Sequence, residues 1–119
     1  MIIRVEQFSA LARVVEAEFA GRLALLLREQ FEEAWQIPAT ELREDIARLI
    51  PRAEAYGLTT EREAAAYVIA AFVLGGRFDE EFPAAQQVLT SPVLNGADKV
   101  LWLEDWTTEL FRTLGQVEA

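Results

Sequence analysis

The chain contains no histidine and no cysteine, so the side chains that most often move protons near neutral pH or attack as thiolates are missing together. Ser-His and Cys-His pairs and imidazole-held metals go with them. Carboxylates remain. Glu29, Glu32 and Glu33 are closely spaced on one expected helix, and Asp79, Glu80 and Glu81 are consecutive in an expected loop. Both clusters lack the alternating oxygen ligands and central glycine of a calcium loop, and both read as solvated acidic surface. Two acids facing each other across a cleft would suit glycosidase-type hydrolysis, but no spacing singles out a pair. A carboxylate-dependent hydrolase is therefore the remote reading. The leading one is a protein that is not an enzyme, with no catalytic, cofactor-binding or metal-binding residue. Gly75-Gly76 follow an expected helix rather than a strand and have no lysine nearby, which makes them a helix stop and not a phosphate loop.

The aromatic residues carry more information. Trp35 ends an expected helix beside Glu32 and Glu33, Trp102 falls off the apolar stripe of the last helix, and Phe78 and Phe82 flank the acids of the loop. Tryptophan is a preferred anchor at protein interfaces, and aromatic rings off a core stripe must pack somewhere. Core edge is one reading. The other is a partner-binding patch made of Trp35, Phe78, Asp79, Glu80, Glu81, Phe82 and Trp102.

The elements that must position these residues are all helical. Val5, Phe8, Leu11 or Ala12, Val15 and Phe19 repeat at three-four spacing, and Leu23, Leu26, Leu27 and Phe31 continue it beyond Gly21. The spacing predicts one long helix over 4–35, with Gly21 as the place for a bend. Pro38 closes it, because the residue before proline is pushed out of the helical region. Thr40 then caps a second helix with Leu42, Ile46, Leu49, Ile50 and Ala53 on one face. It is expected to bend between Arg48 and Pro51 and to stop at Gly57. Thr60 and Glu63 have capping-box spacing at the start of a third helix, and Gly75-Gly76 end it. From Ala64 to Leu74 every residue is apolar, so this helix, over about 60–75, is expected to be buried at the centre of the fold. Eleven apolar residues are too few for the ~20 that span a bilayer. A loop over 77–83, a short helix over 84–89, a turn at Asn95-Gly96 and a last helix over 97–114 complete the chain. On that helix Val100, Leu103, Trp106, Leu110, Phe111 and Leu114 share a face. No segment alternates with period two, so strands are not expected.

The composition fits a single helical domain over 1–119: the hydrophobic share is 52%, and a chain of this length can bury one core without staples. Twenty acids against eleven bases leave a net charge of −9, which repels phosphate backbones and anionic lipid alike. Nucleic acid and membrane are not expected partners. The absence of cysteine suits a reducing compartment, and the start MIIRVEQF lacks the pattern of a secretory signal. Cytoplasmic residence is the default expectation.

Tyr56-Gly57-Leu58-Thr59-Thr60-Glu61-Arg62-Glu63, then Tyr67 through Phe72, Gly75 and Phe78-Asp79, resemble a pattern in small helical proteins encoded beside the spike, tip and effector genes of bacterial type VI secretion systems. The resembling residues lie within 53–90, and Pro51 departs from the uninterrupted second helix of that pattern. The resemblance implies an accessory role, as a co-adaptor or co-chaperone that helps an adaptor or chaperone hand an effector to the spike. The same gene neighbourhood suits an immunity protein that plugs a toxin. The sequence reading is thus an all-α compact bundle of about four helices plus a short one. It acts by binding a protein partner and needs no cofactor, and its oligomeric state is not set by the sequence.

Overall fold

The computed structural model describes the backbone of residues 5–118 and, within it, the side chains of residues 18–110, 112 and 113. The fold is all-α, with no strand among the described residues. The order is α1 (Val5–Gln30), a 3-10 helix (Glu32–Gln36), α2 (Ala39–Ala55), α3 (Glu61–Leu74), α4 (Phe78–Glu81), α5 (Pro83–Leu89) and α6 (Gly96–Glu118). Internal contacts divide the chain into two compact units, Met1–Arg48 and Leu49–Ala119, so that the boundary falls inside α2.

In the first unit the α-helix ends five residues earlier than the apolar spacing predicts. Phe31 is extended, with φ −134° and ψ 120°, and the chain resumes as a 3-10 helix. Side chains explain the stop. The last carbonyls of a helix have no intrahelical donor, and here the Trp35 indole N–H donates to the Arg28 carbonyl at 3.0 Å. Arg28 in turn donates to the Ile37 carbonyl at 2.8 Å. A straight helix through Phe31 would forfeit both bonds. Phe19, Ala20, Leu23, Ala24 and Leu27 of α1 are buried, as are Ala34, Leu42 and Ile46. Leu26, placed on the apolar stripe by spacing, is 36% exposed. The helix runs through Gly21. Val5, Phe8, Leu11, Ala12 and Val15 lie outside the described side chains. The second helix starts at Ala39 and not after Thr40, because the Leu42 N–H already bonds the Pro38 carbonyl at 2.9 Å.

The second unit takes over within α2, which continues past Pro51 as one helix. Pro51 and Ala47 are both exposed, so the carbonyl that proline leaves without an N–H partner lies on a solvent-facing side. A paired-bond stop then ends α2: the Leu58 N–H bonds the Ala53 carbonyl at 3.0 Å and the Gly57 N–H bonds the Glu54 carbonyl at 2.9 Å. Gly57 has φ +83°, the left-handed conformation that this motif requires. The capping box that opens α3 is complete, with Thr60 Oγ1 accepting from the Glu63 N–H at 3.1 Å and Glu63 Oε1 accepting from the Thr60 N–H at 3.3 Å. Gly75 closes the helix at φ +113°.

Helix α3 packs on α6 and α4. It is not buried all round, as its apolar run had suggested. Ala64, Ala66, Tyr67, Val68, Ala70 and Ala71 are buried, whereas Ala65, Ile69, Phe72, Val73 and Leu74 are only half-buried. Four of the six buried positions are alanines, so much of the buried side of this helix is built of small side chains. The expected loop at 77–83 is instead α4, a single helical turn, followed by α5 with Pro83 at its first position, where its missing N–H costs nothing. Asn95 caps α6 by accepting from the Asp98 N–H at 2.8 Å. The helix runs to Glu118, beyond the predicted 114, and Phe111 and Leu114 of its expected face lie outside the described side chains.

Candidate protein-binding surface

Asp79 and Phe78 open α4, and the buried anchor of the second unit is built on them. Asp79 is 1% exposed. A bare carboxylate at that depth would be strongly disfavoured, but three bonds compensate it. One Arg52 nitrogen donates to Oδ1 at 2.8 Å and to Oδ2 at 3.0 Å, and the Tyr56 hydroxyl donates to Oδ2 at 2.6 Å. The other Arg52 terminal nitrogen donates to the Gly76 carbonyl at 2.8 Å, so one guanidinium holds both the loop before α4 and its first turn. Lys99, the chain's sole lysine, is 7% exposed and donates to the Tyr56 carbonyl at 2.8 Å. The cluster thereby joins the end of α2 to α4 and α6.

The electrostatics follow from that packing. Burial pushes the Asp79 carboxyl up, but the Tyr56 hydroxyl and the Arg52 guanidinium together outweigh it and hold the group below its ordinary value. Burial is also the main reason that the Tyr56 hydroxyl is pushed up to about 12, with the hydrogen bond to Asp79 second. Tyr67 is raised as well, first by burial and then by the Asp79 charge. Its hydroxyl senses that carboxylate without closing a hydrogen bond of normal geometry. Both Asp79 oxygens are engaged and the carboxyl is turned away from solvent, so this cluster positions helices.

From the anchor, rings lead outward. Tyr56 lies 6.0 Å from Tyr67, Tyr67 lies 5.1 Å from Phe78, and Phe78 lies 6.4 Å from Trp106, centroid to centroid. Two further rings meet on Trp106. Phe82 contacts it edge-on at 5.3 Å and Trp102 stacks on it at 5.1 Å with an interplanar angle of 18°, the geometries that the ring quadrupole favours. Tyr67 and Phe78 are fully buried, whereas Phe82, Trp102 and Trp106 are half-buried and one turn of α6 also carries Leu101, 57% exposed.

The sequence-predicted residues therefore divide. Phe78, Phe82 and Trp102 converge on Trp106, which spacing had assigned to the core stripe. Phe78 and Asp79 are buried and present no surface to a partner, while Glu80 and Glu81 are exposed. Trp35 belongs to the first unit and is 64% exposed, with the Arg28 guanidinium 4.6 Å from its ring centre. Sequence reasoning missed Arg52, Tyr56, Tyr67 and Lys99. Two signals were present: Arg52 and Tyr56 are one helical turn apart, and Lys99 is the only lysine in a chain whose other bases are arginine.

Among the described residues no group of three or more carboxylate, imidazole or thiol side chains is placed to hold a metal ion. Among them, too, no helix is long and apolar enough to cross a membrane. No protein-family model, curated protein or solved structure matches the chain.

Proposed function

We propose that this protein is a non-enzymatic binding factor whose partner is another protein, and that it serves as an accessory, co-adaptor or co-chaperone, in type VI secretion effector loading. The observation that carries the binding role is the half-buried aromatic group Phe82, Trp102 and Trp106, joined through Phe78 to a buried anchor, with Leu101 of α6 and Glu80 and Glu81 of α4 exposed in the same unit. Rigid aromatic side chains contribute large contact area at low entropic cost, and a polar edge excludes water around them. The secretion context rests on the resemblance within 53–90. An immunity role is the second reading, favoured by the exposed acids Glu80 and Glu81 just before Phe82 in the chain, which a basic toxin cleft would match.

Deletion of the gene in a cell that keeps its neighbouring effector gene separates the two. Loss of secretion without self-intoxication supports the accessory role. Growth arrest relieved by inactivating the toxin overturns it and leaves the immunity role. Co-purification with the tagged chain from its native host identifies the partner in either case.

A further inference from the structure

The first unit carries a groove of about 780 Å³ between α1 and the start of α2, within the ~300–1,000 Å³ typical of ligand sites. Its floor is apolar, with Ala24 and the 64% exposed Leu25 among the lining residues. Among the described lining residues the charged side chains are Arg22, Arg28 and Arg43 with one carboxylate, Glu18. Among those described residues, three positive charges less one negative leave +2, in a chain whose net charge is −9. Arg28 is held in place, bonded to the Ile37 carbonyl and set against the Trp35 ring. Its Nε is buried and donates to nothing among the described residues.

We propose that this groove takes an acidic peptide segment of the protein partner, with a carboxylate paired to Arg43 and an apolar side chain laid over Leu25. The proposal rests on the protein-binding function above and names the chemistry of its partner. Charge complementarity selects the occupant. Guanidinium forks bind carboxylates through paired parallel hydrogen bonds, and the apolar floor calls for methyl groups between the charges. A nucleic-acid strand fits less well, because its phosphates would meet the overall negative charge along the rest of the molecule. At physiological salt the long-range repulsion from the distant acids is largely screened, while direct pairs within the groove are less so.

The test uses the full chain on an immobilised array of random 12-residue peptides at physiological salt. The expected result is retention on peptides rich in Asp and Glu interleaved with Leu, Ile or Phe. Arg43→Glu and Leu25→Asp should each lower that signal at least tenfold, and Arg43→Lys, which keeps the charge but not the fork, should lower it less than Arg43→Glu does. Arg43 and Leu25 are exposed, so both variants should keep the wild-type circular dichroism and melting curve. Retention on basic peptides, the preference that the net charge alone would give, overturns the groove while leaving the protein-binding function standing. Acidic binding unchanged in Arg43→Glu, no retained peptide, or displacement by an oligo(dT) strand overturns it as well.

Discussion

The Tyr56 hydroxyl donates to Asp79 Oδ2 at 2.6 Å, a bond between the residue just past α2 and the first turn of α4. Arg52, one turn earlier on α2, completes the same carboxylate. Breaking a fully buried pair by removing one partner costs about 3–5 kcal/mol. Arg52 is 36% exposed and rehydrates in part, so Asp79→Asn is expected to cost about 2–3 kcal/mol. Tyr56→Phe, which removes one donor and keeps the ring, is expected to cost about 1–2 kcal/mol. Urea unfolding of both variants checks the order. An Asp79→Asn midpoint equal to wild type would mean that the cluster does not hold the unit together.

The same cluster predicts behaviour at both ends of the pH scale. Asp79 is lowered on folding, so its stabilisation is present above the unfolded carboxylate value of about 4 and is lost as pH falls through the lower folded value. Asp79→Asn should flatten that acid limb. Tyr56 is raised to about 12, so its contribution is full below the unfolded value of about 10 and disappears between there and about 12. These are the chain's two tyrosines, Tyr56 and Tyr67, and both are raised. Phenolate absorbance at ~295 nm should therefore be absent near the ordinary tyrosine value of ~10 and appear only as the protein unfolds in alkali. A normal titration midpoint would contradict the burial of Tyr67 and the bond from the Tyr56 hydroxyl to Asp79.

Gly96 marks where α6 meets the turn before α3. A Cβ there would lie 2.7 Å from Glu63 Oε1 and 2.8 Å from the Gly57 carbonyl oxygen. The carbonyl is backbone in a constrained helix stop, and Glu63 is committed to its capping box, so neither yields cheaply. Gly96→Ala should cost about 1–3 kcal/mol. Gly76 supplies the control, because a Cβ there meets nothing within 4 Å, and Gly76→Ala should leave the melting temperature nearly unchanged. Equal melting temperatures for the two variants would refute the close approach.

Features written in local sequence were legible. The Thr60-Glu63 capping box, the stops at Gly57 and Gly75 and the absence of strands among the described residues could be read because each depends on residues a few positions apart. What escaped depends on distance along the chain. The end of α1 is fixed by Trp35 reaching back to the Arg28 carbonyl, a tertiary bond that apolar periodicity does not encode. Asp79 meets Arg52 and Tyr56 across 27 and 23 residues, and Lys99 meets Tyr56 across 43, so an acid that looked like part of a solvated run was in fact turned inward. Trp106 shows the converse. Helical spacing put it correctly on the packed stripe, but could not show that Phe82 and Trp102 would meet on it at the surface.

Under the proposed function, the second unit would hold a protein partner through its half-buried rings. Trp102 stacks on Trp106 at 5.1 Å, so its truncation removes one half-exposed ring and loosens the support of another. Interface tryptophans of this kind commonly cost 2 kcal/mol or more when replaced by alanine, about thirtyfold in affinity. Glu80 and Glu81 are exposed and directly precede Phe82 in the chain, and charges at the rim of an interface govern association rate and salt dependence more than residence time. If the protein is a loading factor, Trp102→Ala should weaken capture of the co-purified partner about thirtyfold or more. Glu80→Gln with Glu81→Gln should change the equilibrium affinity by less than about tenfold, mainly through slower association. An immunity protein would show the opposite order, with dissociation accelerated most by neutralising the acids. Surface plasmon resonance with the partner immobilised, run at low and physiological salt, reads both rates. Faster dissociation in the double glutamine variant than in Trp102→Ala would decide for toxin neutralisation.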